Sequence, residues 1–187
     1  MIELICEPGW TKVGELCYHP IVEPAAISWQ EAEKKARQMG GVLTSIHNAQ
    51  HNEFLLGLMP PLDERLEFGQ RRIGENNNGF WIGLKLLGKR GNDGNTVFNY
   101  TWADSTPFDF GALPERDDEE SVWIPSVNTK NIFDSVEQCV FLTSDGWNPT
   151  DCSGLFSSRV PGFIVTKPPV AKNASNNSSN SGRLECH

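Results

Sequence analysis

The chain of 187 residues has the length of one ordinary domain, and its 38% hydrophobic and 21% charged residues are typical of a globular protein rather than a disordered one. Its formal net charge of −8 argues against nucleic acid or an anionic membrane as a partner, because both attract a basic surface. The longest apolar stretch, around Phe54 to Leu62, is far shorter than the ~20 residues that span a bilayer, so no transmembrane segment is predicted.

Two helices are predicted in the first third of the chain. Ser28 and Glu31 form a capping-box pattern, and apolar residues then recur at helical spacing until a glycine pair ends the run. A short strand is predicted over Val42 to Ile46. The second helix is predicted from Asn48 to Met59, where two prolines end it.

From Pro60 onward the pattern changes to short strands between long connections that are rich in turn residues. The stretch from Asp63 to Gly79 is charged and rich in asparagine and glycine, which predicts a loop. Another long connection runs from Phe110 to Asp134, and loops of this length are commonly functional or disordered. The predicted strands are Phe80–Leu84, Val97–Trp102, Glu137–Leu142 and Gly162–Val165.

The last part of the chain is rich in proline, asparagine and serine, so we predict one domain over residues 1–166 and a flexible tail over residues 167–187. The segment from Met1 to Ile5 is too short and too acidic for a secretory signal. N-glycosylation sequons nevertheless indicate an extracellular protein, so we expect a secreted chain whose leader has been removed. The candidate glycosylation sites are Asn99, Asn173, Asn176 and Asn177.

Several short motifs follow one another in a recognisable order. They are Cys6-Glu7-Pro8-Gly9-Trp10, Cys17-Tyr18, Ser28-Trp29, Leu43-Thr44-Ser45-Ile46, Trp81-Ile82-Gly83-Leu84, Trp102-Ala103-Asp104-Ser105-Thr106-Pro107-Phe108-Asp109-Phe110, Cys139, Trp147-Asn148 and Cys152. Each is weak alone, but the ordered set resembles the C-type lectin-like domain over nearly the whole chain before the tail. The resemblance implies an α+β fold, with two helices packed on small antiparallel sheets and a long irregular ligand-binding loop. It also implies that Trp10, Trp29, Trp81 and Trp102 fill the core.

The chain has five cysteines, and spacing alone leaves three possible connectivities for the four in the domain. The resemblance selects Cys6–Cys17 and Cys139–Cys152. The family's third, long-range bridge would join the positions of Ala36 and Val165, so the resemblance implies that this bridge is lost and its site is repacked with apolar side chains. The fifth cysteine, Cys186 in the tail, has no counterpart in the family. Because an exposed thiol in an oxidising compartment often pairs between chains, we expect a disulfide-linked dimer to be accessible; a free or capped thiol is the alternative.

The resemblance also implies where a calcium ion and a sugar would bind. The family's ligand positions correspond here to Glu115, Asp117, Asp118, Glu137 and Asn148. Calcium favours six to eight oxygen ligands, and carboxylates and amides of this kind supply them. Two departures weaken the site: Asp117 replaces an amide that would donate to a sugar hydroxyl, and Pro149 removes a ligand side chain. We therefore expect a degraded calcium site.

Other readings of these residues stay open. The run from Glu115 to Glu120 has five acidic side chains and one arginine, and such runs are more often solvated loops than ion sites. Trp123 could stack on a sugar, anchor a protein partner or pin the loop to the body. His47 and His51 have the spacing of metal ligands on a helix, but two polar surface histidines are the simpler interpretation. A second calcium at Asp118 with Asn92 or Asp93 competes with a plain turn.

The resemblance implies a secreted, non-catalytic module that binds glycans or glycoproteins through the long loop, with or without calcium. The ligand residues would be Glu115, Asp117, Trp123, Glu137 and Asn148. The alternative is a calcium-independent domain that binds a protein or lipid partner on the same face. An enzyme is not expected, because the sequence contains neither the Gly-x-Ser-x-Gly pattern nor a phosphate-binding glycine loop.

Overall fold

A computed structural model of the chain describes residues 3–60, 79–90, 96–110, 135–144, 146–152 and 160–172. The described residues form ten strands and two helices. The helices are α1 (Trp29–Gln38) and α2 (Ala49–Leu58). The strands are β1 (Leu4–Ile5), β2 (Thr11–Val13), β3 (Leu16–Val22), β4 (Val42–Leu43), β5 (Phe80–Arg90), β6 (Thr96–Trp102), β7 (Ser135–Thr143), β8 (Gly146–Asp151), β9 (Gly162–Lys167) and β10 (Val170–Ala171).

Both predicted helices are present, within one residue of their expected ends. Helix α1 begins after Ser28, whose hydroxyl accepts from the Glu31 backbone N–H while the Glu31 carboxylate accepts from the Ser28 N–H. This capping box satisfies two backbone donors that the helix leaves unpaired. Helix α2 begins after Asn48, whose side-chain oxygen accepts from the His51 N–H.

The strands differ from the prediction mainly in length. Strand β4 ends at Leu43 instead of Ile46. The next residue, Thr44, lies between β9 and β5. Its N–H donates to the Ile164 carbonyl, and its carbonyl accepts from the Gly83 N–H. Strand β5 continues six residues beyond Leu84, since β6 pairs with it on one side and β7 on the other. Strands β1, β2, β3, β8 and β10 were not predicted.

The main sheet has the order β2-β3-β9-β5-β7-β8, with β4 paired to β9 and β6 paired to β5. All the strand pairs are antiparallel except β5 with β9, which run parallel over Phe80 and Trp81. Strand β8 is at one edge of this order, which allows Pro149 in it because an edge residue does not need a backbone N–H toward solvent.

A second, two-stranded sheet joins β1 to β10. Leu4 lies opposite Ala171, and the Lys172 N–H donates to the Glu3 carbonyl at 2.8 Å. Strand pairing therefore extends to residue 171, beyond residue 166, where the sequence predicted the domain to end. Residues 173–187 lie outside the described residues. The predicted sites among them are Asn173, Asn176, Asn177 and Cys186.

In the described part of the chain, the buried residues form two core clusters. One contains Ile82, Leu84 and Leu86 of β5 with Leu55 of α2, and the other packs α1 against Trp81 and β9. Trp29, Trp81 and Trp102 are buried, as expected, whereas Trp10 is only partly buried. The predicted architecture of two helices on antiparallel sheets is confirmed.

The two expected disulfides are present. Cys6 is bonded to Cys17 and Cys139 to Cys152, with Cα–Cα distances of 5.6 and 4.9 Å. Ala36 and Val165, the positions of the missing third bridge, are both fully buried in the cluster that packs α1 against β9. Among the described residues, neither helix is long and apolar enough to cross a bilayer.

Candidate functional site

The predicted ligand residues fall into two groups. Glu115, Asp117, Asp118 and Trp123 lie in residues 111–134, outside the described residues, as do Asn92 and Asp93. Glu137 and Asn148 are described, and they lie on the adjacent strands β7 and β8. The structure therefore bears on the site through these two residues and their neighbours.

Glu137 is paired with a lysine of the neighbouring strand. Its Oε1 lies 2.9 Å from Nζ of Lys85, and its side chain is 48% exposed. The Lys85 ammonium also lies 4.4 Å from the ring centroid of Trp29, a cation–π arrangement. A calcium ion at this site would need the negative charge of the Glu137 carboxylate. The Lys85 ammonium beside that carboxylate opposes the binding of a second cation there.

Asn148 is turned away from Glu137, toward the turn between β7 and β8. Its Nδ2 donates to Thr143 Oγ1 and to the Gly146 carbonyl, both at 3.0 Å, so both amide hydrogens are used. Asn148 lies opposite Phe141, which follows Glu137 by four residues, so about 14 Å of strand separates the two positions along β7. The structure does not bring these two predicted ligands together.

Among the described residues, no group of three or more His, Cys, Asp and Glu side chains is placed to hold a metal ion. Pro149 lies opposite Val140 and supplies no side-chain oxygen. With Lys85 beside Glu137, no side-chain oxygen at Pro149 and about 14 Å of strand between the Glu137 and Asn148 positions, these residues do not fit a calcium site.

A polar cluster that the sequence did not predict lies beside the segment that leads to residue 111. We call the side chains of Ser45, His47, Asp104 and Asp109 the His47 network. His47 Nδ1 lies 2.6 Å from Asp109 Oδ1, and His47 Nε2 lies 3.0 Å from Ser45 Oγ. The Ser45 hydroxyl donates to Asp104 Oδ2 at 2.5 Å. The network joins the loop after β4 to the segment after β6.

Asp104 is an ionised acceptor at the end of this network. Its other oxygen accepts from the backbone N–H and the hydroxyl of Thr106, at 3.0 and 2.6 Å. Burial by itself would raise the pKa of Asp104, but the hydrogen bonds from Ser45 and Thr106 outweigh it and hold the pKa below its ordinary value. The turn requires Ser105 in a left-handed backbone conformation, with φ of 64°.

The proton positions follow from counting donors and acceptors. Because Asp104 only accepts, the single Ser45 proton is directed to it, and His47 Nε2 must donate to Ser45 Oγ. Asp109 is also a carboxylate, whose pKa the hydrogen bond with His47 lowers, so Nδ1 donates as well.

The order of atoms in Ser45, His47 and Asp109 resembles that of a hydrolase triad, but the protonation differs. A triad histidine accepts the serine proton, whereas His47 donates to Ser45. The hydroxyl proton goes to Asp104 instead, and Ser45 is only 7% exposed. This geometry fastens two segments together and does not activate a nucleophile.

His51 does not join His47 in a metal-binding pair. Its ring packs edge-on against Tyr18, with centroids 5.2 Å apart, and burial together with the nearby charge of His47 lowers its pKa. His47 is bonded to Ser45 and Asp109. Both rings are partly buried, and each contacts specific neighbours. The partners of His47 could not be inferred from sequence, since Asp109 is 62 residues away.

Aromatic side chains hold the same segment in place. Phe108 stacks on Tyr100 with ring centroids 4.6 Å apart, and Phe110 packs edge-on against Trp147 at 6.0 Å. The Trp147 indole N–H donates to Asn52 Oδ1 of α2 at 2.8 Å. The segment that leads to residue 111 is therefore held by two ring contacts as well as by the His47 network.

Comparison with known proteins supports the fold and the family. Residues 25–158 match the family model described as "Lectin C-type domain". C-type lectin domain family 4 member A of Rattus norvegicus is 25% identical over 158 residues, which cover 80% of this chain and 50% of the rat protein. The chain thus spans about half the length of that relative.

Two solved structures share the fold. A calcium-independent type II antifreeze protein superposes with a TM-score of 0.54 at 21% identity, covering 90% of this chain and 98% of that one. The cow C-type carbohydrate-recognition domain of CD23, solved in the presence of a GlcNAc2Man3 oligosaccharide, gives 0.54 at 21% identity, covering 90% and 99%.

Proposed function

The chain belongs to the C-type lectin domain family, and from this premise we propose that it is an extracellular, non-catalytic module that binds glycans without depending on calcium. The observation that carries the proposal is the pairing of Glu137 with Lys85. An ammonium 2.9 Å from the Glu137 carboxylate opposes the binding of a calcium ion at the same group. The Asn148 Nδ2 already donates to Thr143 and Gly146, so it is not free to donate to a calcium-bound sugar hydroxyl.

Direct contacts would then replace the calcium-mediated ones. We propose that Glu115, Asp117 and Trp123 contact the sugar, the carboxylates by accepting from hydroxyl groups and the indole by stacking on a sugar face. Asp118 would add to the acidic character of this segment. Glu137 and Asn148 would then be neighbours of the ligand and not ligands of a metal ion.

A protein partner is the second candidate, and one observation favours it. Leu87 lies directly opposite Glu137 on β5 and is 47% exposed. An exposed apolar side chain beside the Lys85–Glu137 ion pair suits a protein interface, which combines apolar contacts with a polar rim.

The extracellular location is supported by the two disulfides, because such bridges persist in oxidising compartments. Asn99 is exposed on β6, where a glycan could be attached. We also propose that Cys186 permits a disulfide-linked dimer. Dimer bands on a non-reducing gel that disappear on reduction would support it, and identical migration under both conditions would rule it out.

A glycan array with calcium and with EDTA tests the proposal. We expect the same glycans to be bound with equal intensity in both conditions, since no calcium takes part. Binding that EDTA abolishes would overturn the calcium-independent mechanism. An empty array in both conditions would reject glycan binding and leave the protein partner as the better candidate.

A further inference from the structure

Strands β5 and β6 leave one apolar side chain in contact with water on their outer face. Leu86 of β5 lies in the core, and Tyr100 of β6 packs against it. Because successive side chains of a strand point to opposite faces, Leu87, Asn99 and Thr101 point outward. Asn99 and Thr101 are exposed, and Leu87 is 47% exposed. The outer face therefore presents a leucine beside two polar residues of the neighbouring strand.

Those two polar residues belong to an N-glycosylation sequon, Asn99-Tyr100-Thr101, within strand β6. The asparagine and the threonine are exposed on the outer face. Tyr100 between them turns inward, and its ring stacks on Phe108 with centroids 4.6 Å apart. A glycan on Asn99 therefore projects into solvent without displacing a core side chain.

The strand register brings Leu87 next to this attachment point. Asn99 lies directly opposite Leu87 in the pairing of β5 with β6. The Cβ atoms of directly opposite residues in an antiparallel pair are about 4.5–5.5 Å apart, and their side chains lie on the same face. The first sugar on Asn99 is thus attached within reach of the Leu87 side chain.

The other neighbours of Leu87 on this face do not shield it with apolar surface. Two residues away on β5 are Lys85 and Lys89, and Glu137 lies opposite on β7. Lys85 and Glu137 are paired with each other at 2.9 Å, and Lys89 is exposed. Apolar contact with Leu87 must therefore come from a group that is attached to, or docked on, this face.

We propose that Asn99 carries an N-linked glycan whose first sugar packs on Leu87 and covers it. The proposal goes beyond ligand binding and rests only on the extracellular location proposed above. In the transfer step, Asn99 Nδ2 loses one proton and forms a bond to C1 of an N-acetylglucosamine. The bond from that carbon to the diphosphate of a lipid-linked oligosaccharide donor breaks, and the lipid diphosphate leaves with the bonding electrons. Nothing is oxidised or reduced.

A pyranose ring suits Leu87 because one of its faces consists largely of C–H groups. Contact with that face removes apolar leucine surface from water and adds dispersion contacts, while the sugar hydroxyl groups stay hydrated. The glycan thereby stabilises the folded domain. It also removes the exposed apolar surface on which a protein partner at Leu87 would depend.

The first test measures occupancy of the sequon in the full chain, secreted from insect cells behind a cleavable leader. Enzymatic deglycosylation in heavy-oxygen water followed by mass spectrometry should label position 99 in the wild type and in T101S, but not in T101A. Serine retains the sequon and alanine removes it, so T101S is the matched control. An unoccupied Asn99 in the wild type would overturn the proposal.

The tail sequons separate this failure from a failure of the extracellular location. They begin at Asn173, Asn176 and Asn177. Glycans in the tail with none on Asn99 would overturn the proposal and leave the extracellular location standing. A secreted chain without glycans at any sequon would count against both. Neither result depends on a sugar ligand, so the glycan array still tests the proposed binding function independently.

The second test is a double-mutant cycle that asks whether the glycan contacts Leu87. T101A should melt about 2–4 °C below T101S, the shift expected when part of one leucine side chain is uncovered in a domain of this size. The same comparison in the L87S background should show no difference, because the apolar surface is gone. Glycans in the tail are common to all four variants and cancel.

Two outcomes of the second test would overturn the proposal. One is an equal melting difference, or none, in both backgrounds, which would show that the glycan does not contact Leu87. The other comes from sedimentation of the wild type. A noncovalent dimer that L87S dissociates would show that a second copy of the chain covers Leu87 instead.

Discussion

The ammonium of Lys85 lies between the carboxylate of Glu137 and the indole ring of Trp29, 2.9 Å from the first and 4.4 Å from the centroid of the second. It thereby connects the exposed surface of β7 with the first residue of α1. The sequence resemblance predicts a calcium ligand at Glu137, and in the structure the neighbouring strand places the Lys85 ammonium beside this carboxylate.

Removal of the Lys85 ammonium should cost little stability, and the wild type should not gain stability from calcium. In K85Q we expect a loss of about 1 kcal/mol or less in the free energy of unfolding, because the ion pair is partly exposed and the cation–π contact is modest. Urea denaturation measures this change, with K89Q on the same strand as the control. The wild type should show no calcium-dependent rise in melting temperature; a rise of several degrees that EDTA reverses would contradict the role assigned to Lys85.

Asp104 should stabilise the protein at neutral pH and less in acid. Its pKa in the folded state lies below its ordinary value, so its contribution is present above the unfolded-state pKa and is lost as pH falls through the folded-state pKa. We expect D104N to cost about 2 kcal/mol at pH 7, the magnitude of hydrogen bonds to a charged group. Urea denaturation at pH 7 and pH 3 should show this difference shrinking in acid. An equal difference at both values would contradict it.

Two glycines should respond to alanine in opposite directions. A Cβ on Gly83 would lie 2.6 Å from the Leu43 carbonyl oxygen, and backbone cannot move aside easily, so G83A should destabilise by about 1–3 kcal/mol. Gly57 in α2 has open space around its Cβ position, and G57A should stabilise by up to about 1 kcal/mol. Thermal or urea unfolding of both variants checks the pair. Stabilisation by G83A would show that the close approach at Gly83 is absent, and destabilisation by G57A would show that the space around Gly57 is not open.

A third disulfide should form when the missing bridge is restored. Ala36 and Val165 are buried in the same cluster, so the double variant with cysteine at both positions should oxidise spontaneously during refolding. On the chain-entropy model it should raise the free energy of unfolding by up to about 4–5 kcal/mol relative to its reduced form. Mass spectrometry after thiol blocking counts the free cysteines, and A36C alone is the control. Two blocked thiols in the core of the double variant would show that the positions do not meet.

The helices could be predicted because their signals are local. The capping box at Ser28 and the prolines after Met59 lie within a few residues of the ends that they determine. Strand β8 was missed because Pro149 is unfavourable in most strands and is allowed here only by an edge position that depends on the whole sheet. The length of β5 was underestimated for a similar reason, since its last six residues depend on two partner strands.

The sequence identified individual residues of the candidate site, but not the contacts that these residues make. Glu137 and Asn148 were singled out from the motifs, but no sequence pattern indicates that Lys85, 52 residues earlier, reaches Glu137. The direction of the Asn148 amide depends on the turn between β7 and β8. Such contacts follow from strand register, which the tertiary fold determines.

The pairing of β1 with β10 has a mechanical consequence. Glu3 and Lys172 lie side by side, so a force that pulls residues 3 and 172 apart meets a two-stranded ribbon before it reaches the main sheet. The residue pairs of this ribbon separate one after another, beginning at its open end. The Cys6–Cys17 disulfide then carries the force. Tension is thereby carried first by the β1–β10 pair, and it reaches β3 of the main sheet only afterwards, through Cys17.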